Sequence, residues 1–128
     1  MSIEVIKTDK APAPLPGAPY SQAIKANGFI FCSGQLGIDP KTGKFAGEGV
    51  EEQTRQALKN LEAILAASRS SLEKVVKTTV LLADMNDFGK MNSVYAEFFK
   101  ANPPARMAFQ AAKLPLDARV EIEAVAQE

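Results

Sequence analysis

Apolar residues recur at two different spacings along this chain, and the two spacings separate helices from strands. From Val50 to Leu65 they return every three or four residues, which predicts an amphipathic helix. A second stripe of this kind runs through residues 84–102 and predicts another helix, which Pro103 and Pro104 end. The apolar positions of this stripe are Phe88, Met91, Tyr95, Phe98 and Phe99. Such stripes are typical of helices that pack on a core.

Short runs rich in β-branched and aromatic residues flank the two helices and predict six strands. These runs are 3–9, 21–26, 29–34, 74–84, 105–112 and 118–127. Asn27 and Gly28 separate the second run from the third, and this pair tolerates the positive φ angles of a two-residue type I′ hairpin. The predicted order is therefore βββαβαββ. It indicates a single domain over residues 1–128, an α+β sandwich with two helices on one face of a mixed sheet.

Side-chain alternation assigns the residues of each predicted strand to two faces of the sheet. In the last strand, the apolar positions alternate with Arg119, Glu121 and Glu123, so we expect charge on the face away from the helices. In the fifth strand, Arg106 has the opposite parity to its apolar neighbours, and we expect it on the same charged face, close to Glu121. One face of the fourth strand is expected to consist of Val76, Val80 and Leu82. A charged, partly apolar second face is typical of a subunit interface.

Composition narrows the possible chemistry. Fifteen basic and fifteen acidic residues leave no net charge to attract nucleic acid or an anionic membrane. The chain has no histidine, which excludes histidine-activated nucleophiles and the usual zinc sites. Its single cysteine, Cys32, suits a reducing compartment. Residues 1–12 resemble neither a secretory signal nor a transit peptide, and no apolar run approaches the roughly 20 residues of a membrane span. We therefore expect a cytoplasmic protein that needs no metal.

Two interpretations of Arg106 and Glu121 follow from the residues alone. The two side chains could form a cross-strand ion pair that merely neutralises itself. Alternatively, the planar donor fork of Arg106 could hold a substrate carboxylate while Glu121 positions a water molecule. The residue types leave both interpretations open.

Five segments spread in order over nearly the whole chain together resemble the RidA/YjgF family of enamine/imine deaminases. The segments are APYSQAI, FIFCSGQLGIDPKTG, DMNDFGKMNSVYAEFF, PPARMAF and LPLDARVEIEAVA. Their number and spacing favour the substrate site over the ion pair. The resemblance implies a chorismate-mutase-like fold, a homotrimer with clefts between subunits, and hydrolysis without a cofactor. The substrates implied are 2-iminobutanoate and 2-iminopropanoate, which give 2-oxo acids and ammonia.

The resemblance also implies roles for individual residues. Arg106 would hold the substrate carboxylate, and Glu121 would activate the water that attacks the imine carbon. Further substrate-binding positions would be Tyr20, Ser33, Gly34, Asn92 and Ala108. Many bacterial members have a cysteine where this chain has Ala108, so thiol chemistry is excluded at that position and the backbone would make the contact.

Two competing functions are compatible with the same residues. A non-catalytic module that binds 2-oxo acids would also need Arg106, but it would tolerate the loss of Glu121. A translation-inhibiting ribonuclease activity has been attributed to the family. The zero net charge and the lack of a basic and aromatic platform argue against this activity, so nucleic acid is not an expected partner.

Overall fold

The computed structural model describes residues 2–128, in which six strands form one sheet. The strands are β1 (Glu4–Ile6), β2 (Ala23–Ala26), β3 (Phe29–Leu36), β4 (Val75–Leu82), β5 (Ala105–Gln110) and β6 (Val120–Gln127). They lie in the order β1-β2-β3-β6-β4-β5, and the pairs are antiparallel except for the parallel pair of β4 and β5. The predicted α+β class and the order βββαβαββ are confirmed.

Two helices, α1 (Val50–Ala67) and α2 (Phe88–Phe98), pack on one face of this sheet and enclose the main core. Two acidic residues, Glu51 and Glu52, occupy the first turn of α1, where they favour the positive end of the helix dipole. The largest fully buried apolar side chains are Ile30, Leu58, Leu61, Ile64, Leu65, Val80, Leu82, Met91, Val120 and Ile122. The opposite face of the sheet, which we call the open face, is covered by no helix of residues 2–128. Within residues 2–128, neither helix is both long and apolar enough to cross a membrane.

The turn between β2 and β3 has the predicted hairpin geometry. Asn27 and Gly28 have φ angles of 52° and 83°, and the flanking residues Ala26 and Phe29 are paired in register. A type I′ turn, which has two positive φ angles, matches the right-handed twist of strands that a two-residue loop joins. This turn therefore fixes which residues of β3 face the helices.

Two β-bulges shift the side-chain alternation that the sequence predicts. In β4 the register shifts between Val75 and Lys77, so that Val75 is 7% exposed and Val76 is 40% exposed. The expectation that Val76 shares the core face of Val80 is therefore wrong, because an extra residue in a strand reverses the facing of the residues before it.

The second bulge lies in β3, where Ser33 and Gly34 together lie opposite Glu123 of β6. On either side of it, Cys32 pairs with Ala124 and Gln35 pairs with Ile122. The strand also continues to Leu36, two residues beyond its predicted end. Because the bulge changes the parity of β3, Gly34 faces away from the helices, as Glu121 does in the neighbouring strand.

Leu116→Asn is expected to raise the free energy of unfolding by about 1 kcal/mol, because asparagine tolerates the left-handed backbone that strains a leucine. Leu116 has a φ of 57° in the short 3₁₀ turn Pro115–Asp117, and 60% of it is exposed, so little packing is lost. Urea denaturation at a fixed protein concentration measures the change. The control is Met85→Asn, an exposed apolar residue without a positive φ. Equal gains in both variants would contradict backbone strain as the cause.

Candidate active site

The guanidinium group of Arg106 lies between β5 and the first half of α2. Its Nη1 donates a hydrogen bond of 2.8 Å to Oδ1 of Asn92. The guanidinium carbon lies 4.8 Å from the ring centroid of Tyr95 and 5.5 Å from that of Phe88. Within residues 2–128, the bond to Asn92 is the one hydrogen bond that this group makes, and no carboxylate pairs with it. An arginine has five N–H donors, so four remain for a ligand.

Glu121 projects from β6 on the open face, where it lies against the bulge at Gly34. A Cβ atom added to Gly34 would lie 2.6 Å from Oε2 of Glu121, so a glycine at this position permits the close approach. Burial raises the pKa of the Glu121 carboxyl above its usual value, and the charge of Glu123 raises it further. Glu121 is therefore a partly desolvated carboxylate that holds a proton more tightly than an exposed one.

Tyr20 lines a cavity together with Glu121, and Ser33 directly precedes Gly34 in β3. Tyr20, Gly34 and Glu121 line one cavity beneath the proline-rich loop of residues 11–19. The Tyr20 hydroxyl accepts a hydrogen bond of 3.0 Å from the backbone N–H of Leu15, which leaves its own proton available to a ligand. The Ser33 hydroxyl donates to the carbonyl oxygen of Ser21 at 2.6 Å, so its remaining capacity is that of an acceptor.

Arg106 and Glu121 lie on opposite faces of the sheet and are separated by β4. In β4, Thr78 is the register partner of Arg106 and Leu81 is that of Glu121. Positions three residues apart in a strand face opposite ways. Thr78 is buried under α2, whereas Glu121 lies on the open face. The expectation that Arg106 and Glu121 share one face and lie close together in a chain is therefore wrong, and they form no ion pair.

The error arose because the polarity of β5 is the reverse of that of β6. The apolar residues Met107 and Phe109 are on the open face, where they are 54% and 45% exposed. Arg106 and Ala108 point towards the helix side, and Ala108 packs against the main core. Polar residues therefore mark the open face of β6 but not that of β5.

The candidate residues thus form two separate groups in one chain. The arginine group consists of Phe88, Asn92, Tyr95, Arg106 and Ala108. The glutamate group consists of Tyr20, Ser33, Gly34 and Glu121. Sequence reasoning placed Phe88 and Tyr95 only in the core stripe of α2. Helical spacing shows that an aromatic residue of α2 faces inward. It does not show that a cation from a distant strand contacts the ring.

Gln22 is a further residue that sequence reasoning missed. Its buried side chain holds the loop that carries Tyr20: Nε2 donates to the carbonyl oxygens of Thr8 and Pro12 at 3.0 and 2.8 Å. Its Oε1 accepts from the backbone N–H of Thr8 at 2.8 Å. The available signal was a glutamine that directly follows the Pro-Tyr-Ser sequence of a loop rich in proline. Proline has no backbone N–H, so such a loop offers few donors to its own carbonyls, and a side-chain amide can supply them.

Cys32 and the acidic residues show no sign of metal or thiol chemistry. Burial raises the pKa of the Cys32 thiol to about 12, so this residue stays protonated and packs as a small apolar side chain. No group of three or more cysteine, aspartate or glutamate side chains within residues 2–128 is arranged to hold a metal ion.

The fold and the two groups define an α+β sandwich with a donor-rich arginine at its edge and a desolvated carboxylate on its open face. The model of the family described as Endoribonuclease L-PSP matches residues 9–128. The chain belongs to this family, which is the RidA/YjgF family that its sequence motifs resemble, and the predicted membership is confirmed.

Named relatives are similar over nearly the whole of this chain. Reactive Intermediate Deaminase A, chloroplastic, of Arabidopsis thaliana is 55% identical over 96% of the chain, which spans 65% of that longer protein. The 2-iminobutanoate/2-iminopropanoate deaminase of Mus musculus is 53% identical over 96% of the chain and 90% of its own length. The crystal structure of Escherichia coli TdcF with bound serine has a TM-score of 0.92 and 38% identity, and covers 98% of both chains.

Glu121→Gln is expected to raise the free energy of unfolding near neutral pH. Because the folded-state pKa of Glu121 is raised, its ionised carboxylate destabilises the fold at any pH above that raised value. At a pH below its usual value of 4.5, Glu121 is protonated in the folded and the unfolded chain, so variant and wild type should converge. Urea denaturation between about pH 4 and about pH 8 measures this difference.

Glu123→Gln is the matched control for this prediction. It removes the neighbouring charge but leaves Glu121 buried, and burial is the larger of the two causes of the raised pKa. The gain in stability should therefore be smaller than that of Glu121→Gln. Equal stability of Glu121→Gln and wild type over the whole pH range would show that the Glu121 carboxylate is not desolvated.

Proposed function

We propose that this protein is an imine deaminase, which hydrolyses 2-imino acids to 2-oxo acids and ammonia. The observation that carries the proposal is the state of Arg106. Aromatic rings and one amide hold its guanidinium, while four of its N–H donors have no partner among residues 2–128. A guanidinium that is fixed in place and has free N–H donors can bind a carboxylate. The Mus musculus and Arabidopsis relatives, which are named as deaminases of this kind, support the reaction class.

The carboxylate of the substrate binds to Arg106 through two parallel N–H···O bonds, which orient the imino carbon. Asn92 holds the guanidinium through its Oδ1, so its own amide N–H₂ is available to the substrate. Ala108 contributes its backbone beside the substrate. The serine bound to Escherichia coli TdcF also carries a carboxylate and a nitrogen on the adjacent carbon, which supports this class of ligand.

Glu121 holds the water that attacks the imino carbon. Its raised pKa makes it a stronger base than an exposed glutamate and allows it to return the proton to nitrogen. Tyr20 donates a hydrogen bond from its free hydroxyl proton to the substrate or the water. The hydroxyl oxygen of Ser33 accepts a hydrogen bond from the substrate or the water and so helps to orient it. Gly34 has no side chain and so leaves room for the carboxylate of Glu121.

The atoms balance with one water per substrate. A 2-enamino acid first becomes the imine when a proton is added to its methylene carbon and one leaves the nitrogen. Water then adds its hydroxyl to the imino carbon and its proton to the nitrogen, through Glu121. A second transfer of a proton from the hydroxyl to the nitrogen breaks the C–N bond, and the 2-oxo acid and ammonia leave. An imine is already electrophilic, so positioning of the water supplies most of the catalysis.

A complete site requires two copies of the chain. Arg106 and Glu121 face opposite sides of the sheet, so one copy contributes the arginine group and its neighbour the glutamate group. A head-to-tail contact of this kind forms a closed ring where its rotation returns to the first copy. By the family resemblance we propose a homotrimer with three such sites. Exposed Phe31, Met107 and Phe109 on the open face supply the apolar contact area.

A reducing compartment such as the cytoplasm suits the buried thiol of Cys32.

Arg106→Ala is expected to lower kcat/KM for ammonia release from freshly generated 2-aminoacrylate by about 100-fold or more, because the carboxylate loses its charged partner. The matched control is Arg55→Ala. Arg55 makes a surface ion pair with Glu97 at 2.9 Å and lies in neither group, so its loss should leave the rate unchanged. Full activity of Arg106→Ala would contradict the proposed role. No acceleration by the wild type would favour the non-catalytic 2-oxo acid module.

Mixing two inactive variants should restore activity if the site is shared between copies. When Arg106→Ala and Glu121→Ala chains are unfolded together and refolded, about one quarter of the interfaces of any ring receive an intact arginine and an intact glutamate. We therefore expect about a quarter of the wild-type rate from the mixture. A mixture as inactive as its two components would contradict the shared site.

A further inference from the structure

The aromatic ring of Tyr95 does more than fill the core beneath α2. We infer that Tyr95 is a positioning residue, whose ring sets the plane in which Arg106 presents its donors to the substrate carboxylate. The inference deepens the proposed function and rests on it. It assigns a role in substrate binding to a residue that makes no contact with the reacting atoms.

Three elements converge at this point of the structure. Thr78 in β4 is the register partner of Arg106 in β5, and Tyr95 reaches both from α2. The hydroxyl groups of Thr78 and Tyr95 are 2.7 Å apart and share a hydrogen bond. Thr78 is 1% exposed and Tyr95 is 6% exposed, so no water competes for this bond. The ring of Tyr95 is therefore held at both ends, by the helix backbone and by β4.

An aromatic face is the partner that leaves the arginine free to bind. A carboxylate or a carbonyl beside Arg106 would fix it by occupying N–H donors, and a carboxylate would also cancel its charge. The centroid of the Tyr95 ring lies 4.8 Å from the guanidinium carbon, and the face of the ring attracts the cation. This contact occupies no N–H donor of Arg106. The bond to Asn92 then fixes the rotation of the group. Binding a carboxylate in two parallel bonds requires such a fixed plane.

Proton transfer does not explain the hydroxyl of Tyr95. Burial raises the pKa of Tyr95, while its bond to Thr78 and the charge of Arg106 lower it by less, so the net direction is upward. The group therefore stays protonated near neutral pH, and its hydrogen bond is to Thr78. A phenylalanine would supply the same ring face, held in place by the packing of α2 on the core. The hydroxyl therefore contributes to stability, through its buried bond to Thr78.

The test compares Tyr95→Leu, which removes the ring, with Tyr95→Phe, which keeps it. Two quantities are measured for each: KM for a 2-imino acid, from ammonia release, and Kd for 2-oxobutanoate, by calorimetry. We expect Tyr95→Leu to raise both by about 2- to 30-fold, the range of a cation–π contact, with kcat nearly unchanged. Tyr95→Phe should keep both within about 2-fold of wild type, although its Tm falls because Thr78 loses its partner.

Two further variants separate positioning from general loss of stability. Phe98→Leu removes another aromatic ring of α2 that packs on the core, and it should lower Tm without changing KM or Kd. Thr78→Val combined with Tyr95→Phe removes both hydroxyl groups of the buried pair, so it should recover most of the Tm that Tyr95→Phe loses and keep a wild-type KM.

Each remaining outcome decides the inference. If Tyr95→Leu folds and has the KM and Kd of the wild type, the ring has only a structural role. A fall in kcat with unchanged KM and Kd would also overturn the inference, because binding of the carboxylate would then be intact. If the wild type releases no ammonia but binds 2-oxobutanoate, the proposed reaction fails, and the Kd values still decide the role of Tyr95. Absence of both ammonia release and 2-oxobutanoate binding in the wild type would overturn both the proposed function and the inference.

Discussion

Side-chain alternation along a β-strand is the constraint on which the rest of this structure depends. It places Arg106 towards the helices and Glu121 on the open face, with β4 between their strands. Each group is then prepared in its own way. Aromatic rings fix the cation without neutralising it, and a glycine bulge seats the carboxylate where burial raises its pKa. Because the two groups lie on opposite faces, Arg106 and Glu121 of the same chain do not pair with each other.

The parts of the fold that depend on local sequence could be predicted. Asn27 and Gly28 predicted their hairpin because few residues adopt two successive positive φ angles. The first helix begins at Val50, as the apolar spacing predicted, and the order of elements is correct. The family motifs also identified Arg106 and Asn92, which the structure brings together, and Gly34 and Glu121, which lie in contact. The catalytic roles of these residues remain predictions.

The parts that depend on strand pairing could not be predicted in the same way. A bulge arises from the pairing of two strands, so the sequence of β4 alone does not reveal it. Alternation within β4 therefore predicts Val76 as a core residue, and only the register with β6 shows that it is not. The assumption that β5 and β6 are neighbours because a short turn joins them placed Arg106 next to Glu121, but β4 lies between the two strands. The wrong face of Arg106 came from the polarity of β5, whose apolar residues are on the open face. The same limit hid the role of Tyr95. Helical spacing gives the direction of a side chain in its own helix, but not its partner in a distant strand.

The central position of β6 affects how the chain folds while it is being synthesised. This strand is the last of the six to be synthesised, yet it lies between β3 and β4 and pairs with both. Until residues 120–127 have left the ribosome, β3 and β4 lack the strand that pairs with the inner edge of each. Such edges are prone to aggregation, and contacts so distant in sequence form slowly. We therefore expect a nascent chain of this protein to depend on chaperone protection until its final strand pairs with β3 and β4.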